Sequence, residues 1–117
     1  MSKQQLLIID DEQDLLQGLQ RVLSYELQDV EVDVCSQPGQ ALSLLQDKGH
    51  DLVLLDICMP EINGLELLQK IKEFDPWVTV LMMTAYGSIE IAVQSIKQGA
   101  YDFISKPFEM QDLLRFL

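Results

Sequence analysis

The sequence predicts a single α/β domain, a doubly wound parallel sheet with helices on both faces. Five short apolar runs alternate with five segments of helical periodicity, and strands alternating with helices imply right-handed crossovers and a parallel sheet. The run Leu52-Val53-Leu54-Leu55 is continuously apolar. That is the pattern of a strand buried on both faces, whereas a strand with one wet face alternates. Length agrees, since 117 residues with 48% hydrophobic content fill one compact domain and leave no room for a second.

Taken in order, Leu6-Leu7-Ile8-Ile9 is the first strand and ends in Asp10-Asp11-Glu12. Leu15, Leu19, Val22 and Leu23 recur at helical spacing, with Asp10 or Asp11 as N-cap and Glu12 and Asp14 in the first turn. Glu31-Val32-Asp33-Val34-Cys35 alternates as a strand near a sheet edge does. The second helix starts from Ser36-Gln37-Pro38, turns Ala41, Leu44 and Leu45 inward and closes at Gly49. His50, the only histidine, then stands at the entry to the central strand, the end away from Asp56.

The central strand finishes at Asp56, and Cys58-Met59-Pro60-Glu61-Ile62-Asn63-Gly64 follows as a loop rich in turn formers. Leu65, Leu68 and Ile71 mark the third helix, which Pro76 breaks. Val78 to Thr84 is the fourth strand and ends in a hydroxyl. Ser88 caps a fourth helix whose buried stripe is read as Ile89, Ala92, Val93, Ile96 and Ala100, ended by Gly99. On that reading Ile91 stands outside the stripe, beside Gln94, Ser95 and Gln98. Asp102-Phe103-Ile104-Ser105 is the fifth strand and runs into Lys106-Pro107. A last helix begins near Glu109 with Met110, Leu113, Leu114 and Leu117 in phase. Its pattern stops without a cap, which predicts further chain beyond Leu117.

Composition excludes several functions. Eight Lys and Arg against 19 Asp and Glu leave a formal charge of -11, which opposes nucleic-acid or anionic-membrane binding. No apolar run reaches the roughly 18 residues of a membrane span, and the polar start lacks a signal peptide's core. The expectation is a cytoplasmic protein with Cys35 and Cys58 as free thiols.

In a parallel sheet all carboxyl ends share one rim, where open α/β folds bind ligands. That rim collects Asp10, Asp11, Asp56, Thr84 and Lys106. Three crowded carboxylates repel unless a cation neutralises them. An all-oxygen set without His or Cys favours Mg²⁺, with Mn²⁺ as substitute, bound through carboxylates plus a phosphate. Lys106 and Thr84 are then donors for phosphate oxygens. A flavin or nucleotide module is disfavoured, because the loop Asp10-Asp11-Glu12-Gln13-Asp14 would repel a phosphate not already carried by a metal.

Those residues carry a resemblance. The acidic pair after strand one, Asp56 with Met59-Pro60 and Gly64, Thr84-Ala85, and Lys106-Pro107 occur in order and at the spacing of a response-regulator receiver domain. The resemblance covers essentially the whole chain. Residues 83–87 and 99–108 are most similar to receivers fused to ATPase-type transcriptional activators of the nitrogen-regulation kind. It implies a flavodoxin-like (βα)5 sandwich with strand order 2-1-3-4-5 and a cis bond before Pro107.

For the site it implies that Asp56 accepts a phosphoryl group from a sensor histidine kinase. Asp11, Asp56 and the Cys58 backbone carbonyl would hold the metal, and Asp10 would act mainly through water. Lys106 would pair with Asp56 and then with the phosphoryl group, and Thr84 would hydrogen-bond it with help from the Ala85 N–H. Thr84 and Phe103 would form the switch, and Cys58 and Tyr86 would tune lifetime. Such a domain is not a turnover enzyme, though it assists its own phosphorylation and dephosphorylation. Its expected partners are the kinase, an output region with ATPase and DNA-binding modules, and a phosphorylation-dependent second copy meeting the helix-four, strand-five and helix-five surface. Two alternatives stand beside this reading. A Mg²⁺-dependent aspartyl phosphatase wants Asp-x-Asp, which Asp56-Ile57-Cys58 breaks, and a capping domain for which the chain has no room. A phosphorylation-independent receiver-like module would usually have lost Asp11, Asp56, Thr84 or Lys106, and all four are present.

Overall fold

The strand read as doubly buried, β3 (Leu52–Asp56), is buried at every position and occupies the middle of the sheet. This computed structural model describes residues 4–57, 59, 63–85 and 89–117. β1 (Gln4–Ile9) and β4 (Thr79–Ala85) flank β3, with Leu6 opposite Leu52 and Asp56 opposite Met83. β2 (Val30–Cys35) and β5 (Asp102–Lys106) form the edges. Among the described residues these five strands run parallel in the order β2-β1-β3-β4-β5, as expected.

Side-chain alternation divides the core into two layers. Leu7, Ile9, Val53, Leu55, Val80 and Met82 point to one face, where α2 (Ala41–Lys48) and α3 (Gly64–Phe74) bury Ala41, Leu45, Leu67, Leu68 and Ile71. Leu6, Ile8, Leu52, Leu54, Leu81 and Met83 point to the other. There α1 (Gln13–Glu26) and α5 (Met110–Leu114) contribute Leu16, Leu19, Leu23 and Leu113. A fully buried Leu or Ile stabilises by about 1.5–3 kcal/mol, so these two layers hold the strand ends in place.

Local chemistry sets the helix boundaries. Pro38 opens a short 3₁₀ turn that leads into α2, and Gly49 ends that helix at φ 72°, where only glycine is unstrained. The Asn63 side chain accepts from the Leu65 N–H at 2.8 Å and caps α3. At the sheet end opposite Asp56, His50 Nε2 lies 2.8 Å from Asp33 Oδ2, and Lys48 bridges Asp33 and Glu31. This cluster ties β2 to α2 and the start of β3, far from the carboxylate rim.

Three readings of the sequence need correction. The N-cap of α1 is Glu12, not Asp10 or Asp11. The buried stripe of α1 is Leu16, Leu19 and Leu23, with Leu15 at its flank and Val22 exposed. Val22 lies about 120° from Leu16 at 100° per residue, and packing against the sheet selected one of two overlapping apolar stripes.

The largest difference is in α4 (Ile89–Lys97), which packs against β4 and β5. Its buried residues are Ala92 and Ser95, while Ile89, Val93 and Ile96 are exposed, as is Ile91 on the opposite flank. The stripe is rotated by about one residue, or roughly 90°, from the expected one. Ser95 can face inward because its hydroxyl donates to the Ala92 carbonyl at 2.6 Å, which removes the cost of burying it. Ala100 is buried as expected. α5 ends at Leu114, and Phe116 and Leu117 still pack on the α1 face. The expected Ser88 cap lies outside the described residues.

Candidate functional site

Four of the five strands deliver a group to the carboxyl rim. β1 continues into Asp10, whose N–H donates to the Cys35 carbonyl of β2 at 3.1 Å, so Asp10 is held as an extension of the sheet and is fully buried. β3 ends in Asp56, also buried, and the next N–H, that of Ile57, donates to the Met83 carbonyl at 2.9 Å. β4 places Thr84, buried, one residue beyond Met83, the register partner of Asp56. Lys106, at the end of β5, stands opposite Ala85.

Side chains from three strands and one loop converge there. Carboxylate oxygens of Asp10, Asp11 and Asp56 all lie within 4.8 Å of one another. Lys106 Nζ reaches into the group, 2.5 Å from Asp10 Oδ2, 3.4 Å from Asp56 Oδ2 and 3.7 Å from Glu12 Oε1. The ammonium therefore sits closer to Asp10 than to Asp56. Asp10 Oδ1 accepts the Glu12 N–H at 3.0 Å, so both oxygens of this buried carboxylate are engaged.

The electrostatics follow from this crowding. For Lys106, burial works against the charge. The hydrogen bond to Asp10 and the charges of Asp10, Asp56 and Glu12 outweigh it and hold the ammonium above its ordinary 10.5. Asp11 is pushed above its ordinary 3.8, first by lost hydration, then by its hydrogen bond with Asp10 and the charges of Asp10 and Glu12. One lysine does not balance three carboxylates and Glu12. An oxygen-only set with unrelieved negative charge and an exposed carboxylate, Asp11, suits a hard divalent cation such as Mg²⁺.

Gly64 shapes the loop behind Asp56. Its N–H donates to the Ile57 carbonyl at 3.0 Å, and a Cβ built on it would stand 2.6 Å from Ile57 Cα and 2.7 Å from the Asp56 carbonyl oxygen. The start of α3 thus lies directly against the backbone that carries Asp56. In the sequence Gly64 was a turn former and a motif position; only the packing shows that the site excludes a methyl group. Glu12, read as a first-turn acid, is the other residue whose place at the site was not visible, because nothing local ties it to Lys106 across the sheet.

Phe103 is half-buried and packs on the α2 and α3 layer, opposite Met82 in the register. The Lys106-Pro107 bond is cis, as the resemblance implied. Cys58 and Tyr86, the expected metal-binding carbonyl and lifetime positions, lie outside the described residues. Among the described residues no helix is long and apolar enough to cross a membrane.

Comparison with known proteins gives a consistent picture. The family described as response regulator receiver domain matches residues 6–117. Among curated relatives, the transcriptional regulatory protein ZraR of Klebsiella oxytoca is 40% identical over 111 residues, covering 92% of this chain and 24% of its own length. The response regulator protein PilR of Pseudomonas aeruginosa is 38% identical over 112 residues, covering 94% and 24%. The chain thus spans about a quarter of the length of these relatives. Among solved structures, the CheY-like receiver of Methanospirillum hungatei superposes with a TM-score of 0.90 at 33% identity, covering 98% of this chain and 90% of that one. A structure of NtrX from Brucella abortus in complex with ADP matches at 0.89 and 36% identity, covering 99% of this chain and 26% of that one.

Proposed function

The chain belongs to the response-regulator receiver family, and from that premise we propose that it is a phosphoacceptor switch in which Asp56 takes a phosphoryl group from a histidine kinase. The observation that supports this most is the convergence of Asp10, Asp11 and Asp56 with Lys106 at one rim of the sheet. The family as a whole accepts phosphoryl groups in two-component signalling.

In the proposed reaction an Asp56 carboxylate oxygen attacks the phosphorus of a phosphohistidine. The oxygen–phosphorus bond forms as the phosphorus–nitrogen bond breaks, and the leaving imidazole takes a proton from solvent. Lys106 moves from the carboxylates to the phosphoryl oxygens, and the Thr84 hydroxyl donates to another of them. Asp11, Asp56 and the Cys58 carbonyl would hold Mg²⁺ directly and Asp10 mainly through water; the ion when bound neutralises the carboxylates and the incoming phosphate charge. Burial of Asp56 and Thr84 fixes their positions before the donor arrives.

Movement of Thr84 toward the phosphate would let Phe103 turn inward and alter the surface of α4, β5 and α5. On α4 that surface carries the exposed Ile89, Val93 and Ile96 along one flank and the exposed Ile91 on the other, across the buried Ala92 and Ser95. It would meet a second receiver or an output region with ATPase and DNA-binding modules, in the cytoplasm. The ADP-bound NtrX relative, of which the chain covers only a quarter, supports the ATPase connection.

Incubation with acetyl phosphate and Mg²⁺, followed by intact mass, tests the assignment. A single phosphate adduct should appear in the wild type and be absent from Asp56→Asn and from metal-free samples. No adduct in the wild type would refute the switch. Ile91→Lys should abolish any phosphorylation-dependent self-association seen in sedimentation; unchanged association would remove α4 from the contact.

A further inference from the structure

Glu12 occupies the N-cap of α1 without capping it. That position favours short side chains that fold back onto the first-turn N–H groups. Glu12 makes no such bond, and its backbone is extended, φ -86° and ψ 100°. Its carboxylate lies instead 3.7 Å from Lys106 Nζ, while its own N–H donates to Asp10 Oδ1. One residue therefore touches both members of the Asp10 and Lys106 pair. Asp56 reaches the same ammonium from a buried side, with 5% of its side chain exposed, whereas 63% of Glu12 is exposed. The two carboxylates draw Lys106 in different directions.

We infer that Glu12 is a positioning residue for the phosphoacceptor reaction, holding Lys106 on Asp10 and toward solvent, away from Asp56, until the phosphoryl group arrives. The inference rests on the function proposed above. Without the Glu12 contact, Lys106 sits closer to Asp56, where its donors meet the incoming phosphoryl oxygens. An ion pair this exposed has a small effect, about two- to threefold in rate.

The test compares wild type, Glu12→Gln and Glu12→Asp with acetyl phosphate and Mg²⁺. Gln removes the charge. Asp keeps the charge, is one methylene short of Lys106 and is a good helix cap. Both variants should phosphorylate about two- to threefold faster, yet only Glu12→Asp should melt higher, by about 2–5 °C. Rate and stability would then move independently, which a structural role does not produce. Wild-type rates in both variants overturn the inference. So does acceleration in Glu12→Gln alone, which assigns the effect to the charge and not to the contact. If the wild type takes no phosphate, the proposed function fails, and the ¹⁵Nζ chemical shift of Lys106 in metal-free protein decides the positioning role. A shift changed in both variants supports it, and an unchanged shift overturns it.

Discussion

Adding one methyl group at Gly64 should damage both the fold and the acceptor site, whereas the same change at Gly18 should stabilise the protein. A Cβ at Gly64 would stand 2.6 Å from Ile57 Cα and 2.7 Å from the Asp56 and Ile57 carbonyl oxygens. Ordinary contact begins near 3.4 Å, so the backbone must open by 3.4 − 2.6, about 0.8 Å. All three atoms are backbone, anchored by the Ile57 N–H on Met83 and the Gly64 N–H on Ile57, and no side chain can turn away. Overpacking of this kind costs about 1–3 kcal/mol, against at most about 1 kcal/mol gained by replacing glycine in a helix. With the full helix gain subtracted, the net loss for Gly64→Ala is about 0–2 kcal/mol. Gly18, on the exposed face of α1, has nothing within 4 Å of its Cβ position, so Gly18→Ala gains about 0.5–1 kcal/mol. Urea denaturation measures both. Because the displaced backbone carries Asp56, Gly64→Ala should also slow phosphorylation by about tenfold or more. A Gly64→Ala protein as stable as wild type and as quickly phosphorylated would refute the argument from close approach.

Two further outcomes follow from the charges. The raised Asp11 carboxyl means that its ionised form is disfavoured in the fold, a cost absent below pH 3.8 and fully present above its folded value. Metal-free Asp11→Asn should therefore be at least as stable as wild type at pH 7. Mg²⁺ at 100 times its dissociation constant should stabilise wild type by about 2.7 kcal/mol and Asp11→Asn far less; equal Mg²⁺ shifts in thermal melts would remove Asp11 from the metal set. At the opposite end of the sheet, partial burial works against ionised Asp33, but hydrogen bonds from Lys48 and His50 outweigh it and lower its carboxyl below 3.8. Its contribution to stability is present above pH 3.8 and lost as pH falls through the folded value. Asp33→Asn should cost about 0.5–1 kcal/mol at pH 7, discounted for exposure, and flatten the loss of stability below pH 3.8; parallel pH curves would contradict this.

Much of the site was legible because its members sit at strand tips. Apolar runs mark strands, a parallel topology gathers their carboxyl ends, and Asp10, Asp56, Thr84 and Lys106 each directly follow or end such a run. The helices were less legible where two apolar stripes overlap. In α1 the choice between Leu16 and Val22, and in α4 between Ser95 and Ile96, depends on how each helix rotates against the sheet. Ser95 was misread because a hydroxyl that bonds its own helix backbone behaves as a small apolar group.

By itself the sequence determined the layered α/β architecture and the acid-rich rim, since periodicity and chain order are local properties that any folded form must respect. The strand order and the cis bond came with the family resemblance. Only the tertiary structure decided that Lys106 lies nearer Asp10 than Asp56, that Glu12 turns from its helix toward that lysine, and that Gly64 presses on the Asp56 backbone. Those are distances between elements far apart in the chain, set by side-chain reach and by how closely two backbones approach. No pattern within a single segment encodes them.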